Sequence, residues 1–166
     1  MVLAGAVEAE EPIEVLRFHG EASVLGSAGI SGIPSVGIGP GVHLEVGAVV
    51  AESLVLSLRA SFATVGIFTV MQFGASYAHL VTDRVTLGIG LTWGGLLGCC
   101  DASSSLSIQT PVRVTLRVGD AVRRGLTFGF EVAPGIVYRG GGFFNGAPTL
   151  PNISVIAGLT AGYAVW

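Results

Sequence analysis

The side chains able to do chemistry are few, and most recur two residues apart. Arg17, His19 and Glu21 stand at alternate positions, as do His43 and Glu45; Arg113 and Arg117 lie four apart, and Arg59 and Glu131 stand alone. Even spacing places such residues on one face of a β-strand, because successive side chains point to opposite sides. The set His19, Glu21, His43 and Glu45 has ligand chemistry suited to zinc, but Arg59 beside it opposes a cation, so no metal is expected. A hydrolase needs a serine, a histidine and an acid within mutual reach. His19 and His43 fall on an enclosed face, and His79 has no serine beside it suited to attack, so no catalytic residue is expected. Cys99 and Cys100 are adjacent and lack the spacing of a zinc knuckle or a Cys-x-x-Cys redox pair; a vicinal disulfide in a loop is the most they offer. Gly37-x-Gly39-x-Gly41 lacks the dinucleotide-binding spacing. The remaining chemistry is electrostatic, with no cofactor implied.

The elements that must carry these residues are strands. Read with period two, the chain divides into eight, at about Ile13–Ala28, Val36–Val50, Leu54–Ala63, Thr69–Leu80, Val85–Trp93, Ile108–Val118, Leu126–Ile136 and Ala157–Val165. Each sets an apolar face (Leu54, Leu56, Leu58 and Phe62 in the third) against a polar or small one (Ser57, Arg59 and Ser61). Seven charged residues fall inside strands: Arg17, Glu21, Glu45, Arg59, Arg113, Arg117 and Glu131. All seven lie opposite the apolar face. The rest fall in the N-terminal tail, the loops or the turns, where Arg124 ends the turn Gly119–Arg124, so the apolar face is expected to carry no charge.

Composition says what that face must meet. Of 166 residues 51% are hydrophobic and only 11% charged, with mean hydropathy +0.74 and no lysine. A soluble surface carries about a quarter or more charged residues, so a water-soluble domain is disfavoured. A net charge of −3 argues against nucleic acid, which demands clustered cations. The stretch Ala60–Ala78 is long enough for a membrane helix, but the 26 glycines spread through the apolar segments oppose helices, each costing up to about 1 kcal/mol in a helix interior. The fold expected is all-β: a closed, antiparallel, up-and-down transmembrane barrel over residues 13–166. Residues 1–12 read as an N-terminal tail or a residual presequence.

Connections support this. Short links at Ala51–Ser53, Val81–Arg84 and Gly119–Arg124 alternate with a second set, long at Gly94–Ser105 and Arg139–Asn152 but brief at Ile30–Ser35 and Val65–Phe68, the arrangement of outer-membrane barrels with both termini periplasmic. Aromatic residues divide into two girdles, Tyr77, Tyr163 and Trp166 at the turn side, Trp93 and Tyr138 at the loop side, where amphipathic rings favour the interface.

The hairpin GASYAHLVTDRVTLGIGLTWG, with its Thr82-Asp83-Arg84 turn, and the terminal AGYAVW resemble the small bacterial outer-membrane barrels of the OmpA and OmpX type. The resemblance implies export to a Gram-negative outer membrane, contact with outer-membrane lipid, and recognition by the barrel-assembly machinery; it does not fix a function.

Turn centres then predict which interior residues meet. A first loop centred on Gly32 sets His19 opposite Glu45 and Glu21 opposite His43. A turn centred on Glu52 sets Glu45 opposite Arg59, and one centred on Val122 sets Arg113 opposite Glu131. The expected interior is an ion network including a row His19–Glu45–Arg59, filling a lumen just wide enough for side chains. The function expected is a structural or surface-interaction barrel. A narrow, porin-like pore is the alternative, and a lipid-modifying barrel enzyme and a lipocalin-like soluble carrier come behind it.

Overall fold

A computed structural model describes residues 17–31, 35–51, 53–65, 68–98, 105–118, 124–139 and 151–165. Nine strands account for nearly all of them: β1 (Arg17–Ser31), β2 (Ser35–Ala51), β3 (Leu54–Val65), β4 (Phe68–Leu80), β5 (Val85–Gly98), β6 (Ser105–Gln109), β7 (Val112–Val118), β8 (Arg124–Arg139) and β9 (Pro151–Val165). No helix occurs among the described residues.

The strands form one antiparallel sheet in which successive strands hydrogen-bond, β6 and β7 excepted, and β9 closes on β1. β6 and β7 are two halves of a single stave, since both pair with β5 and with β8 in one continuous register. The sequence reading ran this stave unbroken from Ile108 to Val118; Pro111 interrupts it. Proline has no N–H to give the ladder. The Pro111 carbonyl still accepts from Gly90 N at 2.8 Å, and Thr110 N donates to the Pro134 carbonyl at 2.9 Å, so the wall stays closed across the gap. The result is an eight-stave up-and-down barrel.

Strand register gives its geometry. Stepping from Arg17 to the partner on each successive strand passes Val49, Val55, Ala78, Gly88, Arg113, Glu131 and Gly158, and returns to β1 at Ser27, ten residues along. Staves staggered this way tilt by roughly 40° from the barrel axis.

The core is inverted relative to a water-soluble protein. Side chains buried inside include eighteen polar or charged residues but only six hydrophobic ones, among them Val55, Val137 and Ala164. The outer wall carries the bulky apolar residues, with Leu58 71% exposed and Leu91 54%. Alternation produces this sorting: in β7 the outward Val112, Val114, Leu116 and Val118 are exposed while Arg113, Thr115 and Arg117 are buried. Among the described residues each strand alternates as assigned from the sequence, and Arg17 alone of those assigned to the inner face is exposed.

One outward position departs from expectation. Arg124 belongs to no turn: it is the first residue of β8, exposed on the outer wall in the same alternation as Leu126 and Phe128. It is the one Asp, Glu, Lys or Arg in an outward position among the described strands.

Inward glycines let the staves close around this interior. A Cβ built on Gly94 would overlap the Met71 carbonyl, whereas one on Gly88 would meet nothing nearer than 3.5 Å. Gly94→Ala is therefore expected to lose about 1–3 kcal/mol, the usual cost of overpacking, and Gly88→Ala to be near neutral. Denaturant titration of strand circular dichroism for both variants checks the contrast.

Candidate functional site

The interior cluster is built by alternate positions on β1, β2, β3, β7 and β8. The β1–β2 register sets Glu21 opposite Glu45, His43 opposite Ser23 and His19 opposite Gly47. This corrects the expected facing pairs His19–Glu45 and Glu21–His43, and the row His19–Glu45–Arg59 is not formed. The hairpin is displaced by two residue numbers in its pairing. That shift leaves every side chain on the expected face while changing each partner.

Two carboxylates thus stand side by side, an arrangement that is unfavourable alone. Arg113 resolves it. Its guanidinium reaches from β7, hydrogen-bonding Glu21 Oε1 through Nη2 and Glu45 Oε2 through Nη1 at 3.3 Å. Glu45 also accepts from the Ser57 hydroxyl and from Ser76 Oγ at 2.8 Å. His43 Nε2 lies 3.2 Å from both Glu45 Oε2 and Arg113 Nη1, and Thr127 Oγ1 donates to Glu21 Oε1 at 3.4 Å.

Arg59 and Glu131 form the second latch. Arg59 is the strand neighbour of Glu45, and Arg113 that of Glu131, as the turn centres predict. The ion pairs nevertheless exchange partners. Arg59 Nη2 donates to both Glu131 oxygens at 2.8 and 2.7 Å, and Arg113 serves Glu21 and Glu45. In the ring, β3 and β8 are four staves apart, as are β2 and β7, so the Arg59–Glu131 and Arg113–Glu45 bonds cross the full diameter. Long side chains from opposite walls meet because the lumen of an eight-stave barrel is only side-chain wide.

Nearer the longer connections lies an uncharged polar layer that the sequence reading did not single out. Gln72 Nε2 donates to Gln109 Oε1, Thr92 Oγ1 to Gln72 Oε1 at 3.4 Å, and Gln109 Nε2 to Ser154 Oγ at 3.5 Å. The inward alternation of Gln72 and Gln109 was the available signal. Below the latches a cavity of about 30 Å³ is lined by His19, Glu21, Arg59, Ala78, Gly88 and Arg113, among others. At roughly 10–15 Å³ per water it has room for about two. Arg59 Nε and Arg113 Nε, both buried without a protein partner, need such waters.

The other sequence-selected residues fall as follows. Arg117 and His19 are buried in the lumen, whereas Arg17, expected inside, is exposed at the turn-side mouth and joins no ion pair among the described residues. Tyr77 and Tyr163 are outward near the turn end, and Trp93 and Tyr138 outward toward the other, 45, 46, 55 and 37% exposed. Trp166, Cys99 and Cys100 lie outside the described residues. Among the described residues no three of histidine, cysteine, aspartate and glutamate gather in a way that could hold a metal ion.

With this geometry in view, the chain can be set beside known proteins. The barrel is similar to that of Neisserial surface protein A. The two share 16% sequence identity and superpose with a TM-score of 0.63 over 89% of this chain and 96% of that one. That protein is an outer-membrane barrel of eight strands, and the likeness establishes the closed antiparallel barrel as the fold. No family model and no curated protein sequence matches the chain.

Proposed function

We propose that this chain is an integral protein of a bacterial outer membrane, a closed barrel that scaffolds its longer connections for a structural or surface-interaction role and has no catalytic activity. The observation carrying the reading is the inverted wall: an apolar exterior around a charged interior. A bilayer core of about 30 Å needs strands of only 9–11 residues, and β3 and β4, the shortest unbroken staves, have 12 and 13. The inner side chains meet across the lumen, which supports a closed barrel over an open pore. Short turns and both termini would then face the periplasm, and the barrel-assembly machinery would be its partner during insertion.

Refolding in detergent followed by an unboiled denaturing gel tests this. A compact band that shifts on boiling is expected, together with silence in planar bilayers. A chain that gives no shift and stays monodisperse in plain buffer would be the lipocalin-like carrier. Steady unitary currents would favour the narrow pore, the second reading, for which the cavity beside Gly88 and Ala78 would be the inner vestibule.

A further inference from the structure

The outer wall is not uniformly bulky. Between β2 and β8 the wall carries a shallow, open apolar furrow. Its floor is Ala22 and Val24 of β1 and Ala161 of β9, and Leu44 and Phe128 stand on its two sides. Strand pairing orders the wall here in rows. Val42, Val24, Ala161 and Phe128 make one; Leu44, Ala22, Tyr163 and Leu126 the next; Val46, Gly20, Val165 and Arg124 the third. The furrow stops at the second row, because the Phe18 ring covers Gly20, where a Cβ would meet it at 2.9 Å; Arg124, the single charged residue on the described outer wall, is the next outward residue of β8 beyond Leu126. Arg124 is exposed and has no ion partner among the described residues. Phe18, Tyr163 and Tyr77 mark this end as the interface level, where aromatic rings collect and an outward arginine costs only about 0–1 kcal/mol.

An apolar trough with one guanidinium just beyond its interfacial end has the chemistry of a lipid, with an acyl chain along the trough and an anion at its head. We propose that the furrow binds one anionic glycerophospholipid of the surrounding membrane, with its phosphate held by Arg124 and one acyl chain seated over Ala22, Val24 and Ala161. This rests on the membrane reading above. A second copy of the chain is the less suited occupant, since no charged group on the outer wall of the described strands is available to meet Arg124.

Native mass spectrometry of the chain, folded in zwitterionic detergent with equal phosphatidylglycerol and phosphatidylcholine, tests it. One phosphatidylglycerol adduct should dominate. Arg124→Gln should reduce it about fivefold, the effect of one basic residue near a charged membrane surface. Ala161→Phe, which fills the trough from the lipid side, should remove it while the heat-shifted band stays intact. Equal retention of the two lipids, an adduct indifferent to Arg124→Gln, or one that survives Ala161→Phe would each overturn the proposal, as would a dimer without lipid. Absence of any heat-shifted band would instead sink the membrane reading, and the lipid site with it.

Discussion

Arg113→Ala is expected to lower the stability of the folded barrel by about 3–5 kcal/mol, because it strips a buried charge from its partners. The cause is specific to the observed register. Glu21 and Glu45 are strand neighbours, and Arg113 is the cation that bridges both. Without it two enclosed carboxylates face each other, and His43 loses its contact with the guanidinium. Under the register expected from the turn centres, Glu21 would have kept His43 and Glu45 would have kept Arg59, so removal of Arg113 would have stranded Glu131 instead. The distinction is measurable. Adding Glu21→Gln to Arg113→Ala should recover a large part of the loss, whereas adding Glu131→Gln should recover none and should deprive Arg59 of its partner. Urea titration of the heat-shifted band in detergent reads all three variants. Recovery through Glu131→Gln would mean that the ion pairs join adjacent staves and do not cross the lumen.

This contrast shows what an alternating sequence can and cannot specify. Period two assigns the face of every strand, because polar and charged residues have only one side, the enclosed lumen, on which to find partners. It cannot detect a slide of two residues in pairing, which keeps every side chain on its face. Where the connection is short and its centre definite, as at Glu52 and Val122, register followed and the neighbours Glu45–Arg59 and Arg113–Glu131 were legible. At Gly32 the chosen centre was one residue early, and the first hairpin was paired wrongly. Even correct neighbours did not give the ion pairs. An arginine in a narrow barrel can reach the opposite wall, and that proximity is written in the closure of the ring, not in any one hairpin. Pro111 is itself the signal for the break in the sixth stave, since it has no N–H to give the ladder. Arg124 was read as the end of a turn because strand ends carry no period of their own, and this hid the one charge on the outer wall.

The second large effect concerns that wall. Leu58 lies near the middle of β3, 71% exposed, with Val46 and Ala75 as its neighbours on either side. For a protein in water, replacing so exposed a leucine with arginine would usually change stability by less than about 0.5 kcal/mol. In hydrocarbon the same change costs about 2–4 kcal/mol at mid-depth and falls toward zero at the interfaces. A depth series separates the two environments, with arginine placed singly at Leu54, Leu58 and Phe62 along the same face. The cost should peak at Leu58 and be smaller at both ends.

Unfolding free energies of the Leu58→Arg chain and the parent, measured by reversible urea titration in phospholipid vesicles, test the inverted wall most directly. The expected result is a loss of about 2–4 kcal/mol for the variant, with both proteins folding to the same heat-shifted band. An unchanged or increased stability would mean that Leu58 faces water and that the barrel does not span a membrane.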